Sequence, residues 1–263
     1  MYSLLISLVL SLFLPCNAQS NSTNVTISAV EQAFNASHIV PDILASFNPT
    51  SIIDVVFTDP STNTTIAVTP GINLTMEQTL LEPQFFLTSN DTSLVNQTFV
   101  LALIDPDAPT PQDTSESQFR HLLAGNFHVN GSTNHSLLTN SSAALTDYVN
   151  PTPPVGSDPH RYTILLFIQP SNFDNASSLV NASTPRPNFN LTTFGDQVNL
   201  GSPIAGTYFL TKADNTTTNS TSGAPSPSPS TASSGTVGLP QSWESMEMGI
   251  SMVVAGLLSQ LLL

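Results

Sequence analysis

The stretch LALIDPDAPT, Leu101–Thr110, runs from a nearly unbroken apolar segment into two aspartates set around a proline, with another proline close behind. Only 8% of the chain is charged, so paired carboxylates at such a place need a reason. Proline has no amide hydrogen to give a sheet ladder, so Pro106 ends the strand. Asp105 is then left at the strand's tip, where a loop can turn it toward a cleft. The plainer alternative is an Asp-Pro turn whose carboxylates bond nearby backbone amides. Taken alone, the stretch favours the turn.

Two further stretches change that balance. Arg120-His121 opens HLLAGNFHV, and Asp158-Pro159-His160-Arg161-Tyr162 opens TILLFIQ, with Pro153-Pro154 forming a stiff loop just before. Each basic-aromatic cluster sits where a strand meets a loop, as DPDAP does. If these strand ends converge on one rim, they gather two carboxylates, two histidines, two arginines and a tyrosine. Imidazole and phenol donate well to an anion, and a neighbouring carboxylate fixes the tautomer and favours imidazolium. Binding of a phosphate or a carboxylate follows from such a set. Asp and His also suit a metal, but these positions are scattered and lack helical metal spacing. No G-x-S-x-G is present to raise a serine nucleophile on a strained turn. Binding is therefore preferred, with no catalytic residue, metal or cofactor assigned.

Apolar and alternating runs recur through the middle of the chain: SIIDVVFT, TTIAVT, PQFFLT, TFVLALI, HLLAGNFHVNG and RYTILLFIQ. Pro, Gly and Asn clusters separate them, which is a β-rich pattern. Thr98–Ile104 and Thr163–Ile168 are apolar at nearly every position, as strands covered on both faces would be. Asn130-Gly131 has the chemistry of a hairpin turn. A capping box at Ser28–Glu31 predicts a short helix through Phe34, and Pro41 a helical turn over PDILASF. Leu191, Phe194 and Val198 predict another helix closed by Gly201, and GTYFLTK reads as a last strand. The expected class is a mostly β, β-rich α+β fold with a few peripheral helices.

The formal charge is −14, and the only basic side chains are Arg120, Arg161, Arg186 and Lys212. That balance argues against nucleic acid or an anionic membrane surface as a partner. Residues 1–18 read as a secretory leader, closed by Cys16 and Ala18 before Gln19, though without a basic n-region. The alternative is an uncut signal anchor. Cys16 is the only cysteine, so cleavage leaves a mature chain without thiol or disulfide. Residues 19–212 form the folded domain. Residues 213–241 are rich in Ser, Thr and Pro and read as an extended, O-glycosylated stalk.

Residues 242–263 end in an apolar tail with no Lys or Arg behind it, too short for a comfortable membrane span. Small residues, a polar spacer and an apolar tail together predict a glycolipid (GPI) anchor signal, with Ser234 in Ser233-Ser234-Gly235 as attachment point. The expected location is the cell surface, on the outer leaflet, or the extracellular space or cell wall after release. Glycosylation sequons are dense, at Asn21, Asn24, Asn35, Asn63, Asn73, Asn90, Asn96, Asn130, Asn134, Asn140, Asn175, Asn181, Asn190, Asn215 and Asn219. A glycan-covered surface would explain how so few charges keep the protein soluble.

The chain resembles the phosphatidylethanolamine-binding protein family from about His38 to Lys212. The resemblance runs through HIVPDIL, the PG of VTPGINL, the EP of LLEPQFF and DPDAP. It continues through FRHLL, YVNPTPP, HRYTILLF and GSPIAGTYF. It implies a large central antiparallel sheet, a smaller sheet and peripheral helices around an anion pocket. It further implies that Asp105, His121, Pro154, His160 and Tyr162 line that pocket, with Asp107 and Arg161 ordering the loops and Arg120 in support. Phe119 stands where the family has an aromatic residue, often Trp, Leu122 replaces its usual Trp after the histidine, and Asp158 stands where it has glycine, adding negative charge beside the pocket. Sequons at Asn130, Asn134 and Asn140 would place glycans where they narrow access. Three functions are compatible: a cell-surface module for a phosphate-bearing ligand or phospholipid headgroup, an inhibitor of a serine peptidase or carboxypeptidase, and a hydrolytic or metal-assisted enzyme. The first is preferred.

Overall fold

The computed structural model describes residues 25–213. The leader, nearly all of the stalk, the apolar tail and Ser234 lie outside the described residues, as do Asn21, Asn24, Asn215 and Asn219.

The described domain is two sheets with helices at the periphery. The smaller sheet has the order β2-β1-β4-β7, and the larger has β3-β10-β9-β5-β6-β8. The smaller one comprises β1 (Ile52–Thr58), β2 (Thr65–Ala67), β4 (Gln84–Thr88) and β7 (Ser136–Leu137). The larger one comprises β3 (Ile72–Leu74), β5 (Phe99–Asp105), β6 (Phe119–His128), β8 (Thr139–Asn140), β9 (His160–Ile168) and β10 (Ala205–Thr211). Every neighbouring pair is antiparallel except β10 with β3.

Strand β5 explains why the larger sheet is central. All of its side chains are buried, because one face meets the smaller sheet and the other meets helices. Phe99, Leu101 and Leu103 pack with Phe57, Phe85 and Leu87 between the sheets. Val100, Ala102 and Ile104 pack on the other side against α1 (Ile27–Ala36) and α3 (Leu191–Val198). Each such apolar side chain contributes about 1.5–3 kcal/mol of burial, which is why a charge-poor run makes a good central strand.

Several local expectations are corrected. The cap of α1 is Thr26, whose hydroxyl accepts from the Ala29 amide, and Ser28 lies within the helix. Val30 and Phe34, one turn apart, set that register by packing on the sheet. The turn around Pro41 is α2 (Ile39–Asp42), which starts before Pro41 and ends two residues into PDILASF. Asn199, left-handed at φ 56°, closes α3 in place of Gly201. Asn130-Gly131 makes no two-residue hairpin, because the chain leaves β6 to lend β7 to the smaller sheet before returning as β8. The three-residue β3 and the two-residue β7 and β8 are too short for alternation to reveal.

Candidate functional site

Strand parity decides which polar residues meet. Side chains alternate across a strand, so Asp105 shares the inter-sheet face with Leu103, and His160 and Tyr162 share it with Ile164. Arg161, between them, faces the helices. On β6 the parity breaks. Leu103 pairs with Leu122 and Ile104 with Arg120, leaving His121 as an extra residue in a β-bulge. A bulge re-aims side chains, and here it puts His121 and Leu122 on the inter-sheet face together. The His121 ring stands edge-on to Tyr162 at 5.0 Å.

The result is a cleft of about 140 Å³ lined by Asp105, His121, His160 and Tyr162 from the strands, Pro153 and Pro154 from the loop, and Glu116 and Phe119. The convergence expected of DPDAP, FRH and HRY is therefore real for Asp105, His121, His160 and Tyr162, with Pro154 on the wall. It is corrected for the others. Arg161 turns away and grips Asp107, donating from Nε to Oδ2 at 3.0 Å and from NH2 to Oδ1 at 2.7 Å. Its NH1 donates to the Ser37 carbonyl at 2.7 Å and to Asp42 at 2.8 Å, tying α1 and α2 to the DPDAP loop. Burial alone would lower the Arg161 pKa, but Asp107 and Asp42 outweigh it and raise it, so this cation is permanent.

Arg120 is also diverted. It lies on the helix face, 4.9 Å over the Phe189 ring, and donates to Thr146 Oγ1 at 2.7 Å and to the Thr184 carbonyl at 3.1 Å. Burial, then repulsion from Arg186, pulls its pKa down to about 10. Arg186 in turn donates to the carbonyls of Arg120 and His121, so the two arginines clamp the 184–187 loop onto β6. Asp158 does not line the cleft; its carboxylate accepts from Gln112 at 2.6 Å. Of the sequon residues near the site, Asn140 lies in β8, paired with Phe127, and Asn130 and Asn134 follow the far end of β6; Phe127 is roughly 20 Å from His121 at strand rise. Every sequon asparagine among the described residues is exposed.

Inside the cleft the hydrogen bonds set the tautomers. The Val149 carbonyl, 2.8 Å from His121 Nδ1, can only accept, so Nδ1 carries the hydrogen. His121 Nε2 then faces Asp105 Oδ2 at 4.0 Å. Burial lowers the His121 pKa more than the Val149 bond and Asp105 raise it. Asp105 is held at both oxygens, Oδ1 by the Asp107 amide at 2.8 Å and Oδ2 by His160 Nδ1 at 2.9 Å. The other ring nitrogen of His160 lies 3.0 Å from Ser157 Oγ. Burial, then the Asp105 charge, raises the Tyr162 pKa, so the phenol keeps its proton and remains a donor.

Glu116 and Ser157 are the residues that sequence reading missed. Glu116 sits in an unpatterned TSES run and reaches the rim because its amide bonds the Ala108 carbonyl and its carbonyl accepts from Asn188. No local signal marks either residue. Among the described residues, no group of three or more His, Cys, Asp or Glu is placed to hold a metal, and no helix is long and apolar enough to cross a membrane.

A family model described as phosphatidylethanolamine-binding protein matches residues 60–209, more than half of the chain. Two curated relatives and a crystal structure agree with it. The carboxypeptidase Y inhibitor of Saccharomyces cerevisiae is 31% identical over 180 residues, covering 59% of this chain and 79% of that one. A 26 kDa secreted antigen of Toxocara canis is 28% identical over 186 residues, covering 68% of this chain and 63% of the antigen. The crystal structure of carboxypeptidase Y inhibitor complexed with its cognate proteinase superposes with a TM-score of 0.62 at 26% identity, over 74% of this chain and all of that chain. The chain belongs to the phosphatidylethanolamine-binding protein family.

Proposed function

We propose that the domain is a binding module for a small phosphate-bearing anion, of the phosphoethanolamine headgroup class, seated among Asp105, His121, Pro154, His160 and Tyr162. The observation that carries this reading is the pairing of two imidazoles with one buried carboxylate, at 2.9 and 4.0 Å. With both rings doubly protonated the trio carries a net +1, and Tyr162 adds a neutral donor. With both rings singly protonated the trio is negative and repels phosphate. Affinity therefore rises with protonation of the imidazoles, that is, as pH falls. Glu116, exposed at the rim, suits the ammonium end of a zwitterionic headgroup.

Calorimetry with phosphoethanolamine and with inorganic phosphate tests the reading. Binding should strengthen as the solution is made more acid and vanish in His160→Ala; native affinity in that variant would refute it. A second reading, inhibition of a serine peptidase or carboxypeptidase by surface contact, is supported by the 31% identity to a carboxypeptidase inhibitor. Peptidase inhibition that survives in His160→Ala would assign it to a separate surface.

The leader, stalk and tail support presentation at the cell surface on a glycolipid anchor. Release of the protein from cells by a phospholipase that cuts such anchors is the expected result. Retention of an intact C-terminal peptide would exclude the anchor.

A further inference from the structure

Ser157, which the binding reading leaves unused, sits at the outer end of a hydrogen-bonded line that starts from Asp105 and His160 in the cleft. Its Oγ is 3.0 Å from His160 Nε2, and His160 Nδ1 is 2.9 Å from Asp105 Oδ2. Asp105 is buried, and the Asp107 amide holds its other oxygen at 2.8 Å. A hydroxyl on a base that a fixed carboxylate orients is the arrangement that activates serine. It is recognised by geometry and roles, whatever the order along the chain.

We propose that Ser157 is a nucleophile activated by His160 and Asp105, and that it accepts the acyl group of a small carboxylic ester presented at the cleft. The proposal rests on the cleft of the binding reading but not on its affinity for anions. Ser157 follows a tight turn in which its amide bonds the Pro154 carbonyl at 3.1 Å and Gly156 takes φ +87°. That turn folds Ser157, half-buried, back onto the imidazole of His160, which together with Pro154 lines the cleft, so that Ser157 stands behind the cleft's histidine. The amides of Val155, Gly156 and Asp158 donate to no group among the described residues, leaving donors near Ser157 for a developing oxyanion.

The proton position defines the reactive form. Ser157 Oγ has one hydrogen, shared between His160 Nε2 and the Asp158 carbonyl at 2.9 Å. With one proton on His160, held at Nδ1 by Asp105, the Nε2 lone pair takes the serine hydrogen. Oγ then bonds the ester carbonyl carbon, the carbonyl electron pair moves to oxygen, and the Oγ proton passes to Nε2. Collapse of this adduct breaks the bond to the leaving alkoxide, which departs as the alcohol with the Nε2 proton. Water repeats the sequence on the acyl-serine, giving the carboxylic acid and free Ser157. The balance is ester plus water to acid plus alcohol.

The test treats the full-length protein with a fluorophosphonate probe, maps the adduct by mass spectrometry, and follows p-nitrophenyl acetate hydrolysis in parallel. The expected adduct is on Ser157, with fluoride lost. Ser157→Ala, at a half-buried turn, should lose both adduct and hydrolysis. Asp105→Asn should slow labelling by about 100-fold or more. If that buried variant does not fold, the pH profile of the native protein decides. Labelling should fall as the solution is made more acid, because a protonated imidazole is no longer a base. No adduct, an adduct elsewhere, equal labelling in folded Asp105→Asn, or a flat pH profile overturns the proposal. Phosphoethanolamine binding without labelling sinks the nucleophile alone, and labelling without binding sinks the anion reading alone.

Discussion

Arg161 and Asp107 form a two-pronged pair across the β5–β9 strand ends, Nε to Oδ2 at 3.0 Å and NH2 to Oδ1 at 2.7 Å. The Arg161 amide also donates to Asp107 Oδ2 at 2.7 Å. On the opposite face of β9, His160 makes the parallel link to Asp105. Each aspartate of DPDAP is thus held by one residue of HRY, one for structure and one facing the cleft. Removing one partner of a buried pair leaves an uncompensated charge. Arg161→Ala should lower stability by about 3 kcal/mol, read as a drop in the urea midpoint, whereas an unchanged midpoint would mean the pair is decorative.

His121 makes stability depend on pH. Its folded pKa is lowered from 6.5, chiefly by burial, so below 6.5 the unfolded chain binds more protons than the folded one. The His121 contribution is complete above 6.5 and is lost as pH falls toward the lowered folded value. Chemical-denaturation midpoints should decline over that window. His121→Gln should flatten the decline, and NMR titration should place His121 below an exposed histidine. Phosphate binding should move it upward, since the anion favours the protonated ring.

Arg120 separates support from recognition. Arg120→Met should cost about 1–3 kcal/mol by orphaning Thr146 and the Thr184 carbonyl. Phosphoethanolamine affinity should be retained, because this guanidinium faces the helix layer. Loss of binding in the folded variant would mean that the clamp positions His121 through its backbone.

Gly206 on β10 lies under α1. A Cβ there would meet Phe34 Cζ at 2.9 Å, Leu165 Cδ2 at 3.0 Å and the Ile164 carbonyl oxygen at 3.1 Å. Backbone is among those neighbours and cannot swing aside, so Gly206→Ala should destabilise by about 1–3 kcal/mol. A thermal midpoint equal to native would show that α1 shifts freely on the sheet.

The β-rich fold is legible because apolar runs such as TFVLALI and RYTILLFIQ bury side chains on both faces, and Pro106 marks where one ends. The helix ends are less so. Thr26 and Asn199 act as caps because Phe34 and Val198 dock at fixed positions on the sheet, and docking is not a local property. In the cleft, Asp105, His160 and Tyr162 are foreshadowed by their places at strand ends. Arg120 and Asp107 look equally eligible in the sequence, yet they face elsewhere. Glu116 and Ser157 carry no mark at all.

The amino-acid order by itself determined the strand-rich class, the places where strands stop and the polar residues waiting there, since these follow from side-chain hydropathy and from proline's missing amide hydrogen. Only the tertiary structure decided which of those residues share a cleft. One extra residue in β6 turns His121 inward and leaves Arg120 outside. Pairing across strands then places Asp105 between two imidazoles that stand 16 and 55 positions further along the chain. Facing direction depends on register between strands, and register is a property of the assembled sheet.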